Sequence, residues 1–308
     1  MIMHRGDQTL AIRALKGAAP YIRMYKGKTF VVKAGGGVFA DTAATRALVE
    51  QIAILHYFGV RVVLVHGGGP QLTEVTAALG VPTRMVAGRR ITDERAIDAT
   101  AMVLNGLINT RLLAICRGLD IDAVGISGVD AGLVRAHRRA PVVLDGEPVD
   151  FGLVGDIDAV DTTVLKKLLD SGLMPVVSPL SADQSGTLLN INADTVAAAV
   201  GAALGAEKLI LCTGAPGILG SVDDPGSLIS YTDLKGLERL RAEERIAAGM
   251  LPKARAIEDA LRGGVRRVHV VSYHSPEGIL GEVFTNEGTG TLIVADVNAL
   301  SPAEQSAT

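Results

Sequence analysis

Short runs of β-branched and aliphatic residues alternate along this chain with longer stretches whose apolar positions recur at helical spacing. The runs predict strands over 29–33, 61–66, 122–126, 174–178, 208–212, 267–272 and 291–294. Helices are predicted over 42–57, 71–79, 93–119, 162–171, 193–204 and 250–263. Strands that are apolar throughout, each followed by a helix, belong to a parallel sheet covered on both faces. The expected fold is therefore α/β: a three-layer αβα sandwich around a central, mostly parallel open sheet, with right-handed connections.

Two stretches break the alternation. Residues 133–153 read as short strands with turns at Asp145-Gly146 and Glu147-Pro148, and 181–190 as a second hairpin turning at Asp183-Gln184-Ser185-Gly186. Such hairpins either cover a substrate or decorate the surface. Near the N-terminus, Leu10, Ala11, Ala14 and Leu15 mark a short amphipathic helix over 8–16 that Pro20 is expected to end. Its apolar stripe needs cover from its own domain or from a neighbouring subunit. The tail 301–308 is expected to be disordered.

Hydrophobic residues make up 48% of the 308, enough for a large core in one or two domains. No apolar run approaches the ~20 residues of a membrane span, and no secretory signal pattern opens the chain, so no membrane partner is expected. The 30 basic and 33 acidic residues are well mixed and the net charge is −3, which argues against nucleic-acid binding. Aromatic residues, at 3%, are too few for base-stacking platforms. Cys116 and Cys212 fall in apolar patterns without ligand spacing and read as inert thiols of a reducing cytoplasm.

The chemistry gathers at glycines. Val31-Val32-Lys33-Ala34-Gly35-Gly36-Gly37 and Val62-Val63-Leu64-Val65-His66-Gly67-Gly68-Gly69-Pro70 are both strand-to-glycine turns that lead into helices. Bare backbone N–H groups and a helix N-terminus there favour anions. Two such turns with a lysine at one mouth suggest a site gripping two anionic groups, as in phosphoryl transfer. Lys33 reads either as a cation on reacting phosphate oxygens or as a solvated strand-end lysine. Gly35, Gly37 and Ala40 also satisfy G-x-G-x-x-A, but the next strand ends at His66 rather than at the acidic residue a dinucleotide fold needs. No G-x(4)-G-K-[ST] pattern occurs.

Three further groups stand out. In Gly88-Arg89-Arg90-Ile91-Thr92-Asp93, Thr92 or Asp93 can cap the following helix, leaving an arginine to fork onto a carboxylate. Asn190-Ile191-Asn192-Ala193-Asp194 carries more short polar side chains than one helix cap requires, and an aspartate there stays ionised. Lys253, just after Pro252 in a first helical turn, opposes the helix dipole unless a phosphate is near.

In this order, and together with Tyr21-Ile22-Arg23, Gly152-Leu153-Val154-Gly155-Asp156, 175–180 and 284–291, these motifs resemble the N-acetyl-L-glutamate kinase family of the amino acid kinase superfamily over about residues 20–294. The resemblance implies an N-terminal helix and linker over 1–25, an acyl-amino-acid lobe over 26–205 and a nucleotide lobe over 206–308. It implies ATP-dependent phosphorylation of the γ-carboxylate of N-acetyl-L-glutamate, in arginine biosynthesis in the cytoplasm. Lys33 and Lys253 would neutralise the transferring phosphoryl group and Asp194 would hold both. Gly68, Gly69, Arg90, Asn190 and Asn192 would bind the substrate, and Gly35, Gly36, Thr213, Gly214, Gly217 and Lys253 the nucleotide. Mg²⁺ would ride on the ATP phosphates, with no dedicated metal site on the protein.

An N-terminal helix leading into Tyr-Ile-Arg is similar to that of arginine-inhibited relatives, which implies an L-arginine effector near Tyr21, Glu282 and Gly288 and a homo-oligomer, a dimer or a ring-shaped hexamer. The chain departs from the family pattern at Ala34 and Gly37, at 127–132, at Glu277 where a histidine is frequent, and at Gly214, where an aspartate is common. Kinases of another acyl-amino acid such as N-succinylglutamate, and a non-catalytic arginine-sensing paralogue, stay open as alternatives.

Overall fold

Alternate residues of the central strands enter two different cores. Val31, Val63, Val65, Leu209 and Leu211 belong to one apolar cluster, and Phe30, Val32, Val62, Leu64 and Ile210 to the other. A sheet buried on both faces follows from these strands being apolar at every position. The computed structural model describes residues 5–86, 89–144, 146–221, 224, 226–246, 248–285 and 288–299. Gly88, Asp145 of the first expected turn and the 301–308 tail lie outside them.

Among the described residues the central sheet has eight strands. They are β1 (Thr29–Ala34), β2 (Arg61–His66), β3 (Ala123–Ser127), β4 (Met174–Ser178), β5 (Lys208–Thr213), β6 (Tyr231–Asp233), β7 (Arg267–Ser272) and β8 (Thr291–Val294). Their spatial order is β6-β8-β7-β5-β1-β2-β4-β3. Every pairing is parallel except β7 with β8. The helices are α1 (Arg5–Tyr25), α2 (Thr42–Tyr57), α3 (Gly69–Ala78), α4 (Glu94–Arg117), α5 (Thr163–Asp170), α6 (Ala193–Leu204), α7 (Leu234–Ala242), α8 (Leu251–Arg262) and α9 (Gly278–Phe284). Residues of α6 and α8 fill the first core and residues of α2 and α4 the second, which makes the expected αβα sandwich.

The structure corrects several local expectations. Pro20 does not end the first helix: α1 runs through it to Tyr25, so little of 1–25 is linker. Proline removes one helical N–H and leaves the carbonyl of residue 16 without its partner. Lys16 is exposed, so water can take that role. Glu147 and Pro148 lie in a strand, Glu147–Val149, paired with Val142–Leu144, rather than in a turn. A two-stranded ribbon has free edges, where a residue without an N–H is tolerated. The second hairpin forms as expected from Leu180–Ala182 and Leu188–Asn190.

Helix α4 has 24 residues and is long and apolar enough to cross a membrane by length and composition, against the expectation that no such stretch exists. Its Ala99, Val103, Leu104, Ile108, Leu112 and Cys116 lie in the second core, which accounts for its apolar face without a membrane. Its middle, Met102–Asn109, winds as a π-helix. Both cysteines are buried and unpaired, and burial pushes the Cys116 thiol up to about 11 and Cys212 to about 12.

Candidate active site

Lys33 shares the strand parity of Val31, so its side chain leaves β1 on the face covered by α6 and α8. It is 5% exposed there, which rules out the solvated strand-end reading. The side chain meets Asp194 in the first turn of α6, Nζ to Oδ1 at 2.7 Å. Lys253, in the first turn of α8 beside Pro252, takes the other oxygen, donating to Oδ2 at 3.2 Å. Asn192 caps α6 by accepting hydrogen bonds from the backbone N–H groups of Asp194 (2.8 Å) and Thr195 (3.2 Å). One carboxylate thus serves two ammonium groups brought by three elements.

Burial pulls Lys33 below its ordinary value, and Asp194 opposes that pull. Burial works on Asp194 in the opposite sense, yet the two lysines outweigh it and hold the carboxyl below the usual range. Two lysines thus share one carboxylate, an ion-pair geometry with one ammonium in excess. A buried excess of charge is costly unless an anion joins it.

The two glycine turns adjoin this cluster because β1 and β2 are neighbours in register, Ala34 beside His66. A Cβ built on Gly36 would lie 2.7 Å from Pro70 Cδ and 2.9 Å from Gly69 N, so the turns pack backbone to backbone. Gln71 Nε2 donates to Gly36 O at 2.9 Å and ties them. A Cβ on Gly35 would sit 3.8 Å from Lys33 Nζ. On the other side of β1, Gly35 N donates to Cys212 O, which places the Thr213–Gly214 turn of β5 beside the first glycine turn. Gly217 lies farther along, packed on Thr291.

A cleft of about 850 Å³ opens next to the cluster, lined among others by Gly68, Gly69, Arg90, Asn190, Asn192 and Pro252. Lys33, Asp194 and Lys253 border it through their neighbours rather than lining it. Arg90, on a hairpin strand Arg89–Ile91, has its guanidinium positioned by hydroxyls: Nη1 donates to Thr83 Oγ1 at 2.8 Å and Nη2 to Thr73 Oγ1 at 2.6 Å. No carboxylate pairs with it among the described residues, so it faces the cleft as a fork ready for an anion. Asn190 Nδ2 donates to Thr92 Oγ1 at 3.3 Å, joining two of the expected motifs. Asp93, not Thr92, caps α4, accepting from Ala96 N at 2.8 Å. Arg139 and Asp156 form a two-pronged pair in the cleft wall, and the Arg139 hydrogen bonds lower the Asp156 carboxyl.

His66, beside the second turn, is fully buried and held neutral, its imidazole pushed down to about 4 by burial. Asn109 Nδ2 donates both to its Nε2 (3.2 Å) and to Val176 O (3.0 Å). Asn109 was not foreseen: its sequence neighbours are those of a core helix, and the π-turn that aims it is invisible to helical spacing. Thr73 and Thr83 escaped notice for a related reason, since only the folded hairpin brings them to Arg90.

The expected effector residues Tyr21, Glu282 and Gly288 line one small cavity of about 60 Å³, together with Tyr25, Lys208, Arg267 and His269. Beneath it runs a buried chain of contacts that the sequence did not suggest. Lys208 Nζ is 2.9 Å from His269 Nε2, and His269 Nδ1 is 2.8 Å from Glu282 Oε1. Glu282 Oε2 also accepts from Thr289 N (2.7 Å) and Gly290 N (3.1 Å). Among the described residues no group of three or more His, Cys, Asp or Glu side chains is arranged to hold a metal ion.

Residues 28–272 match the model of the amino acid kinase family. The acetylglutamate kinase of Myxococcus xanthus is 48% identical over 296 residues, covering 94% of this chain and 96% of that one. The acetylglutamate kinase of Symbiobacterium thermophilum is 42% identical, covering 91% and 96%. Among solved structures, the N-acetylglutamate synthase of Neisseria gonorrhoeae, complexed with coenzyme A and N-acetyl-glutamate, superposes with a TM-score of 0.81 at 29% identity. That match covers 93% of this chain and 64% of the synthase chain.

Proposed function

This chain belongs to the amino acid kinase family and, within it, to the acetylglutamate kinases, and we infer that it transfers the γ-phosphoryl group of ATP to the γ-carboxylate of N-acetyl-L-glutamate, yielding the acyl phosphate and ADP in arginine biosynthesis. The observation that carries this reading is the single carboxylate of Asp194 shared by Lys33 and Lys253, with its surplus positive charge beside two glycine turns. Such a cluster fits a polyphosphate: the ammonium groups supply charge, and the bare N–H groups of Gly36, Gly68 and Gly69 supply donors.

In this reading the substrate occupies the 26–205 part of the chain and the nucleotide the 206–308 part. Arg90 takes the α-carboxylate, Asn190 and Asn192 border the acylamide, and Gly68 and Gly69 donate to the reacting carboxylate. Gly35, Gly36, Thr213, Gly214, Gly217 and Lys253 receive the nucleotide, and Mg²⁺, when bound with ATP, shields the phosphates. An acceptor carboxylate is already ionised at neutral pH, so no general base is needed. Holding the two anions in line and offsetting the charge on the transferring group therefore carries the rate. Lys33 and Lys253 do the latter, and Asp194 keeps both ammoniums aimed.

A regulatory reading stands beside it. An L-arginine effector is placed at the cavity of Tyr21, Glu282 and Gly288 at the end of α1, where tyrosine hydroxyls line the wall and Lys208 and Arg267 could meet the effector's own carboxylate. Ile12, Leu15 and Met24 of α1 are half exposed or more, which favours a second copy of the chain as cover, in a dimer or a hexameric ring.

The test is ATP turnover by the purified protein with N-acetylglutamate, N-succinylglutamate and glutamate, the acyl phosphate being trapped with hydroxylamine. Hydroxamate from acetylglutamate alone supports the assignment, preference for succinylglutamate redirects it, and no hydroxamate from any of the three sinks it. Arginine added to the same assay, and a size measurement with and without residues 1–19, test the second reading.

A further inference from the structure

Tyr273 directly follows β7, and its backbone N–H donates to Thr213 O at 2.9 Å, fastening it to the turn that leaves β5. The phenol reaches back over two glycines. A Cβ on Gly214 would stand 3.1 Å from Oη and 3.5 Å from Cζ, and a Cβ on Gly37 would overlap Oη and lie 3.3 Å from Cζ. The hydroxyl is thus seated between the glycine turn of β1 and the turn of β5, in room that exists only because neither position carries a side chain. Among the described residues Oη makes no hydrogen bond, yet it is not sealed from solvent. A free donor on a rigid aromatic arm, aimed between the turns of β1 and β5, is a group without a use in the fold itself.

The first of these turns also carries Gly35, which faces the Lys33 ammonium. The phenol meets this turn at Gly37, four residues along from Lys33, and packs against the second core, across β1 from the Lys33 side chain. We propose that the Tyr273 hydroxyl donates a hydrogen bond to a phosphate oxygen of the bound nucleotide, making Tyr273 a nucleotide-binding residue at the turn where Gly214 supplies no side chain. This rests on the reading that the nucleotide lies over the turns of β1 and β5. A neutral donor suits that place, since a hydrogen bond to an ionised oxygen is stronger than one between neutral groups.

Calorimetric titration of the full-length chain with ADP, a non-hydrolysable ATP analogue and adenosine tests the proposal, using the parent protein, Tyr273→Phe and Tyr273→Ala. Phenylalanine keeps the ring on Gly37 and Gly214 and removes only the hydroxyl. The expected result for Tyr273→Phe is about tenfold weaker binding of ADP and of the ATP analogue, with adenosine binding, the KM for acetylglutamate and the melting temperature unchanged. Equal affinity of Tyr273→Phe and the parent for ADP overturns the proposal. So does tighter binding by Tyr273→Ala, which would make the ring a plug, or an equal loss on adenosine, which would move the contact off the phosphates. A parent protein that binds neither ADP nor the analogue overturns the nucleotide reading and this assignment with it.

Discussion

Lys33 and Lys253 occupy opposite oxygens of one carboxylate, at 2.7 and 3.2 Å, and arrive there from a central strand and from the start of a helix. Asp194 is the joint of this arrangement. Asp194→Asn keeps the shape but loses the charge that holds both ammoniums. Turnover in the hydroxylamine assay is expected to fall by roughly 10²–10³, the usual effect of removing one preorganised electrostatic group. A variant that folds and turns over within a factor of about three of the parent would remove Asp194 from the mechanism.

Lys33→Met should act on stability as well as on rate. The pair is buried on both sides, and deleting one partner of such a pair typically costs about 3–5 kcal/mol because the other charge is left behind. Lys253 still faces Asp194, so the lower end is expected, read from denaturant midpoints. In the double variant Lys33→Met, Asp194→Leu the loss should be smaller than the sum of the two single losses, since both charges of the fully buried pair go together and only the less buried Lys253 is left without its carboxylate.

Arg90→Lys separates binding from chemistry. The guanidinium is braced by Thr73 and Thr83, a geometry a single ammonium cannot copy. The KM for acetylglutamate should rise about tenfold, a loss of ~1.4 kcal/mol, with kcat little changed. An unchanged KM would detach Arg90 from the substrate.

Gly125→Ala tests the support behind the second glycine turn. A Cβ there would overlap Asn109 Oδ1 and lie 2.9 Å from Leu113 Cδ1, so Asn109 must leave His66. Overpacking of this kind costs about 1–3 kcal/mol, and a lowered melting temperature should accompany reduced turnover.

Alkali should stabilise the fold through Lys208. Burial pulls this lysine down to about 7 from an ordinary 10.5, so the unfolded chain holds more protons between those values. Stability then rises with pH across that window, and is least where the buried lysine is fully charged, below about 7. Lys208→Met should flatten this part of the profile relative to the parent. Glu282, drawn down to about 2 with burial opposed by His269, acts in the same direction at the acid end: its contribution is present above the ordinary carboxylate range and disappears as pH falls towards 2. Melting temperatures from pH 2 to 10 would show both limbs.

The sheet was legible because its strands are apolar at every position, and the Lys33, Asp194 and Lys253 cluster because each residue breaks a local rule: a lysine ending a buried strand, a surplus of polar groups at a helix start, a cation at the wrong helix pole. Where a residue's neighbours give it an ordinary reason to exist, the sequence is silent. Asn109 looks like one polar position of an amphipathic helix, and Tyr273 like a loop tyrosine. Lys208, His269 and Glu282 belong to separate elements whose adjacency exists only after β5 pairs with β7 and α9 packs back. The strand Tyr231–Asp233 and the helices α7 and α9 were missed as well, being too short to show a period. Pro20 misled because a helix tolerates a missing donor wherever solvent can replace it.

β1 is laddered on one side to β2 and on the other to β5, so one unbroken hydrogen-bonded fabric runs beneath both proposed reactant positions. Strands knit in this way cannot part like the jaws of a hinge. Approach of donor to acceptor has to come from flexing of the sheet as a whole and from the helices and ribbons at its rim, while the backbone floor from Lys33 to the glycines stays fixed.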